Sequence, residues 1–132
     1  MFEKLLEIRK NSYSPYTKFS VSAIVVTKDN REFIGTNVED CSTRAGACAE
    51  RVAIFSAIAS GVKKGEFKEI HILASNNENP GFPCFVCRQM ISELFDKNAM
   101  VYCYSQTGNV TEFTVEQLCP YPFEEFREED VK

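Results

Sequence analysis

Only four residues, Gln106-Thr107-Gly108-Asn109, separate two β-rich runs at 100–105 and 110–114. A parallel crossover needs about a dozen residues or more, so these last two strands have to pair antiparallel. Upstream, the chain alternates between helical and extended patterns. Phe2, Leu5, Leu6 and Arg9 recur at helical spacing and predict an amphipathic helix over 2–11, broken by Asn11-Ser12-Tyr13-Ser14-Pro15-Tyr16. Runs at 20–27 and 32–38 read as strands joined by Lys28-Asp29-Asn30-Arg31, a hairpin signal. A helix is expected over 48–60, with Val52, Phe55 and Ala59 on one face and Gly61 as its stop. A strand over 69–75 follows, then a polar loop, a helix over 84–95 entered after Pro83, and a short helix over 114–118 stopped by Pro120. The order αββαβαββα implies an α/β fold: a mixed five-stranded sheet with helices on its faces.

A chain of 132 residues with no internal repeat and no Gly/Ser-rich linker is expected to form a single domain over 1–132. At this length a core forms without disulfide staples, so the six cysteines have to be explained otherwise. A secreted disulfide framework calls for an apolar leader, whereas the start, Met1-Phe2-Glu3-Lys4-Leu5-Leu6-Glu7, is charged and amphipathic. No stretch approaches the roughly 18 apolar residues of a membrane span. The expected setting is the reducing cytoplasm, where clustered cysteines more often bind metal. The net charge of -4 also argues against a nucleic-acid partner, which normally meets a basic field.

Cys84-Phe85-Val86-Cys87 places two thiols three residues apart at the head of a helix. That spacing is shared by zinc sites and redox motifs. A redox pair leaves Cys48, which heads the other long helix, without a role. Helix N-termini favour thiolate through their free N–H groups and positive dipole end. Three thiolates from two such ends can hold one Zn²⁺ and leave its fourth position open, which distinguishes catalytic from structural zinc. Glu50 stands two residues beyond Cys48, where a carboxylate can take and return a proton. Cys103 and Cys119 read as packing, Cys41 remains open as a further ligand, and His71, mid-strand, reads as structural.

Cys48-Ala49-Glu50-Arg51 followed by Pro83-Cys84-x-x-Cys87-Arg88-Gln89 resembles the signature of the zinc-dependent cytidine deaminases. The likeness extends from about Tyr13 to Phe123. It covers Ser14-Pro15-Tyr16-Thr17-Lys18-Phe19, similar to the family's substrate-side loop, and Gly35-Thr36-Asn37-Val38-Glu39, similar to its ribose-binding strand end. The resemblance implies a three-layer fold, one zinc per subunit, and hydrolytic deamination of cytidine and 2′-deoxycytidine by a zinc-bound hydroxide, in pyrimidine salvage. It also implies roles for individual residues. Cys48, Cys84 and Cys87 would hold the metal, Glu50 would shuttle the proton, and Arg51 would hydrogen-bond a ligand sulfur. Asn37 and Glu39 would hold the ribose, Phe19 would pack on the base, and the main chain of Ala49 and Phe82 would meet the base edge. Phe123 would reach the site from a neighbouring subunit of a homotetramer.

Relatives commonly read Asn-Val-Glu-Asn-Ala-(Ala/Ser)-Tyr and Ser-Pro-Cys-Gly-Ala-Cys. Here the counterparts are Asn37-Val38-Glu39-Asp40-Cys41-Ser42-Thr43 and Phe82-Pro83-Cys84-Phe85-Val86-Cys87. The bulk of Phe82, Phe85 and Val86 bears on pocket shape and assembly, not on the chemistry. Two other readings compete. One is a deaminase of a cytosine-nucleoside analogue of the blasticidin type. The other is a structural zinc module for protein interaction, which leaves Glu50, Asn37 and Glu39 without roles.

Overall fold

The computed structural model describes residues 1–124. Its elements are α1 (Phe2–Arg9), β1 (Ser22–Thr27), β2 (Glu32–Thr36), α2 (Ala49–Ala59), β3 (Phe67–Leu73), α3 (Phe85–Leu94), β4 (Phe95–Tyr104), β5 (Val110–Thr114) and α4 (Val115–Leu118). The strands form one sheet in the order β2-β1-β3-β4-β5. β3 and β4 run parallel, joined through α3, and the other neighbours are antiparallel. The closing β4–β5 pair has the hairpin geometry that its short connection demands, with Tyr104 opposite Val110.

Alternation along the strands divides the core into two layers. Ala23, Val25, Ile70, Ile72, Val101 and Cys103 face α2, α3 and α4. Ile24, Val26, Leu73 and Tyr104 face α1, which inserts Leu5 fully among them. The Ser22 hydroxyl donates to the Leu5 carbonyl at 2.7 Å, and Arg9 Nη1 donates to the Ser75 carbonyl at 2.9 Å, so α1 is pinned at its middle and at its C-terminal end. On the same face His71 is enclosed by polar partners. Its Nδ1 lies 2.8 Å from the Tyr104 hydroxyl, its Nε2 lies 2.6 Å from Glu69, and its ring stacks on Tyr102 at 4.6 Å.

Three expectations need correction. First, Val52, Phe55 and Ala59 do not form the inward face of α2; Phe55 and Ala59 are exposed, and the buried residues are Ala49, Glu50, Ala53, Ile54 and Ala57. The alanines at i, i+4 and i+8 let the helix lie close on the sheet at Gly35. A Cβ there would stand 2.4 Å from the Ala49 carbonyl and 2.5 Å from the Ala53 nitrogen. Second, β4 starts at Phe95, five residues before 100, because α3 ends straight into extended backbone and Phe95 stacks on Phe67 at 4.7 Å. Third, β2 stops at Thr36; Val38 makes only isolated bridges, to Tyr13 and Ala47, which turn the chain out toward α2. Elsewhere the boundaries differ by about two residues, the usual spread at element ends.

Candidate active site

Cys48 and Cys84 occupy the N-cap positions of α2 and α3, each in extended conformation. An N-cap is usually Ser, Thr, Asp or Asn, whose oxygen accepts from the first free N–H groups. Here sulfur takes that place and neither side chain caps its helix. The free N–H groups and aligned peptide dipoles therefore act on the thiols. Cys87, one turn into α3, completes the set, and the three Sγ atoms lie within 4.8 Å of one another. Cys48 and Cys84 are 3.9 Å apart at sulfur, and Cys84 and Cys87 are 3.6 Å apart. Tetrahedral zinc with Zn–S bonds near 2.3 Å separates its sulfurs by about 3.8 Å, so this donor set fits the ion.

The surrounding charges suit a thiolate cluster. Hydrogen bonding from Cys87, together with Arg51, brings Cys48 down to about 5, and the same interaction with Cys48 raises Cys87. The Arg51 guanidinium donates through Nη2 to Cys48 Sγ at 3.6 Å, a bond that holds Arg51 above its ordinary range. Its Nε is the only buried side-chain nitrogen or oxygen among the described residues that lacks a hydrogen-bond partner. Three thiolates around one Zn²⁺ carry a net charge of one negative, which this half-desolvated guanidinium would offset. Glu50 is 4% exposed, and burial pushes its carboxyl up to about 7. A carboxyl titrating near neutrality beside a metal site is matched to taking and giving protons.

Beside Cys48 and Arg51 opens a cleft of about 310 Å³ whose wall includes Asn37 and Glu39. Both side chains are held by the loop that precedes β1. The Asn37 amide oxygen accepts from Ser12 Oγ at 2.5 Å and from the Val21 N–H at 2.8 Å, and its nitrogen donates to the Phe19 carbonyl at 2.8 Å. Glu39 accepts from the Tyr16 and Thr17 N–H groups and from the Thr17 hydroxyl, and that hydroxyl bond holds its carboxyl below the usual range. Lys18, at φ 60, makes the left-handed turn after Thr17.

The structure thus gathers Cys48, Cys84, Cys87, Glu50 and Arg51 at one point, and sets Asn37 and Glu39 on the adjoining cleft. Phe19, Ala49, Phe82 and Phe123 do not line that cleft. Phe19 lies at the surface above Asn37, and Ala49 is buried at the first position of α2. Phe82 packs edge-on against Phe113 at 5.3 Å. Phe123 is gripped through its backbone by Gln89, which donates to its carbonyl at 3.0 Å and accepts from its N–H at 2.9 Å. For Ser12, Thr17 and Gln89 the sequence marks only a segment and no individual role: the break after α1 for Ser12, the substrate-side loop for Thr17 and the run after Cys87 for Gln89. Cys41 is exposed and stands outside the sulfur cluster, and Cys103 is buried in β4.

Residues 1–103 match the family model described as "Cytidine and deoxycytidylate deaminase zinc-binding region". A cytidine deaminase of Sporosarcina psychrophila is 36% identical over 125 residues, covering 92% of this chain and 90% of the relative. One from Halalkalibacterium halodurans is 32% identical, covering 93% and 91%. Among solved structures, a cytidine deaminase from Burkholderia pseudomallei superposes with a TM-score of 0.87 at 37% identity, covering 92% of this chain and 94% of that one. The cytidine deaminase of Mycobacterium tuberculosis, at 20% identity and a TM-score of 0.74, covers 93% and 97% and shares the fold.

Proposed function

The chain belongs to the cytidine and deoxycytidylate deaminase zinc-binding family, and from that premise we propose that it hydrolyses cytidine to uridine and ammonia. The observation that carries the reading is the buried carboxyl of Glu50 beside three sulfurs spaced for zinc. A purely structural zinc module has no use for a carboxyl buried at that cost.

Zinc held by Cys48, Cys84 and Cys87, one ion per chain, supplies the Lewis acidity that makes hydroxide available near neutral pH. The Glu50 carboxylate takes the proton from water as its oxygen adds to C4 of the pyrimidine. The same carboxyl delivers that proton to ring N3, then takes the proton of the new C4 hydroxyl and gives it to the amine, so that the C4–N bond breaks, ammonia leaves and the C4 carbonyl forms. Arg51 keeps the Cys48 sulfur in its anionic form. Asn37 and Glu39 on the cleft meet the ribose. The packing of Phe19 on the base and the contacts of the Ala49 N–H and Phe82 carbonyl with the base edge and departing amino group rest on the family resemblance, since none of these three lines the cleft. 2′-Deoxycytidine is the second expected substrate, and pyrimidine salvage in the cytoplasm the expected setting.

Self-association belongs to the same reading. Phe85 and Val86 on α3 are 75% and 61% exposed, and Phe55 and Ile58 on α2 are also exposed. Such apolar faces suit contact with further copies. A homotetramer in which Phe123 serves a neighbour's site accounts for them. No helix among the described residues is long and apolar enough to cross a membrane.

The test is the loss of ultraviolet absorbance when cytidine is added to zinc-loaded protein, with and without a chelator. Turnover that the chelator abolishes is expected. Full zinc occupancy with no turnover of cytidine, 2′-deoxycytidine or a cytosine-nucleoside analogue would refute an enzymatic role.

A further inference from the structure

Asn37 has less to offer a sugar than its side chain suggests. Its carbonyl oxygen has two lone pairs, and both are taken, by Ser12 Oγ at 2.5 Å and the Val21 N–H at 2.8 Å. One amide hydrogen goes to the Phe19 carbonyl at 2.8 Å. The backbone partners fix the flip of the amide, because a reversed group would set NH₂ against an N–H and a carbonyl against a carbonyl. One N–H is left over. Glu39 keeps acceptor capacity beside it, since three donors occupy only part of its four sites.

The second lone pair of Asn37 is filled by the Ser12 hydroxyl, which stands among other serines. Ser12 Oγ lies 3.1 Å from Ser14 Oγ, which lies 3.0 Å from Ser20 Oγ; Ser12 Oγ is also 3.3 Å from the Asn37 backbone carbonyl. Ser12 has one proton, and the 2.5 Å contact assigns it to the Asn37 amide oxygen. The longer contacts of Ser12 Oγ, to Ser14 Oγ and to the Asn37 backbone carbonyl, draw on the same proton. All three serines are half-buried, and they bridge the start and the end of the loop before β1.

We propose that the Ser12 hydroxyl positions Asn37, saturating its carbonyl so that the site meets a sugar hydroxyl with one amide donor and one carboxylate acceptor. A hydroxyl that accepts from Asn37 and donates to Glu39 is then the group selected. Loss of Ser12 frees a lone pair on Asn37, and water or a misdirected hydroxyl competes for it. The inference rests on the proposed placement of the sugar at Asn37, and its test separates the two.

Steady-state kinetics on the zinc-loaded enzyme with cytidine decide it. Ser12→Ala is expected to raise KM about fivefold, the effect of one net hydrogen bond, with kcat within about twofold of the parent. Ser12→Thr, which keeps the hydroxyl, restores KM. In an Asn37→Ala background, Ser12→Ala adds nothing further, which a merely structural serine would not obey. An unchanged KM in Ser12→Ala while Asn37→Ala raises it sinks the role of Ser12 alone. An equal effect of Ser12→Ala in both backgrounds does the same. An unchanged KM in Asn37→Ala overturns the sugar placement and the role of Ser12 with it. Should Ser12→Ala not yield folded enzyme, Ser12→Cys decides: its thiol is a weak donor, so KM is expected to rise by severalfold, and a flat KM overturns the proposal.

Discussion

At the scale of single residues, the costly placement is Glu50. A carboxyl enclosed at 4% exposure loses the hydration that favours its charged form, which is why it titrates near 7 rather than 4.5. Nothing in the packing of α2 requires an acid there, because the residues buried alongside it are alanines and Ile54. An amide fills the same volume and keeps hydrogen bonding but cannot carry a proton between water and the base. Glu50→Gln is therefore expected to retain zinc, measured by metal analysis, while turnover falls by roughly 10²–10⁴-fold, the usual worth of positioned acid–base catalysis. Zinc retained together with more than a tenth of the parent rate would remove Glu50 from the proton path.

At the scale of elements, the site depends on how closely α2 approaches the sheet. Cys48 caps α2, so any lift of that helix off Gly35 moves a metal ligand away from Cys84 and Cys87. Gly35→Ala would press a methyl against the backbone of Ala49 and Ala53, which cannot rotate aside. The expected result is a loss of roughly 1–3 kcal/mol in chemical denaturation, as for other overpacked cores, together with lower zinc occupancy after dialysis. Normal occupancy and stability would mean that α2 shifts without carrying Cys48 with it. This dependence also explains what was legible in the sequence. Cysteines at helix heads could be read from spacing, since the start of a helix is a local event. The inward face of α2 could not: Phe55 is the largest apolar residue of the helix, yet it is exposed while Ala49, Ala53 and Ala57 are buried, because alanines permit the close approach to Gly35. Likewise the immediate start of β4 depends on Phe95 meeting Phe67 across the sheet, a contact with no local signature. The ties from Ser12, Thr17 and Gln89 link segments far apart in the chain, and small polar residues in loops do not announce their partners.

At the scale of the whole molecule, two properties remain to be argued, acid stability and assembly. Burial lowers His71 below its ordinary value of 6.5 despite the pull of Glu69. The neutral ring satisfies its neighbours, donating from Nε2 to Glu69 and accepting at Nδ1 from Tyr104, whose hydroxyl burial pushes up to about 12. Below pH 6.5 the unfolded chain takes up a proton that the folded chain resists, so this contribution is complete above that value and is lost as the pH falls. The melting temperature should drop between pH 7.5 and 5.5, and His71→Gln should flatten that drop; an identical slope in both proteins would place the acid sensitivity elsewhere. Assembly is the larger question, because Phe85 and Val86 stand in water on the helix that also carries Cys84, Cys87 and Gln89. Gln89 fixes the backbone of Phe123 to that helix, so a partner covering α3 would be met by the C-terminal segment as well. Sedimentation is expected to give about four times the 15.0 kDa chain mass. Val86→Glu puts a charge into the apolar face and is expected to lower that mass, since an unpaired charge is expensive to bury at an interface. The dissociated protein should then bind cytidine with a higher KM, because each site would lack the neighbour's Phe123. A monomer with unchanged kcat/KM would show instead that each chain completes its own site.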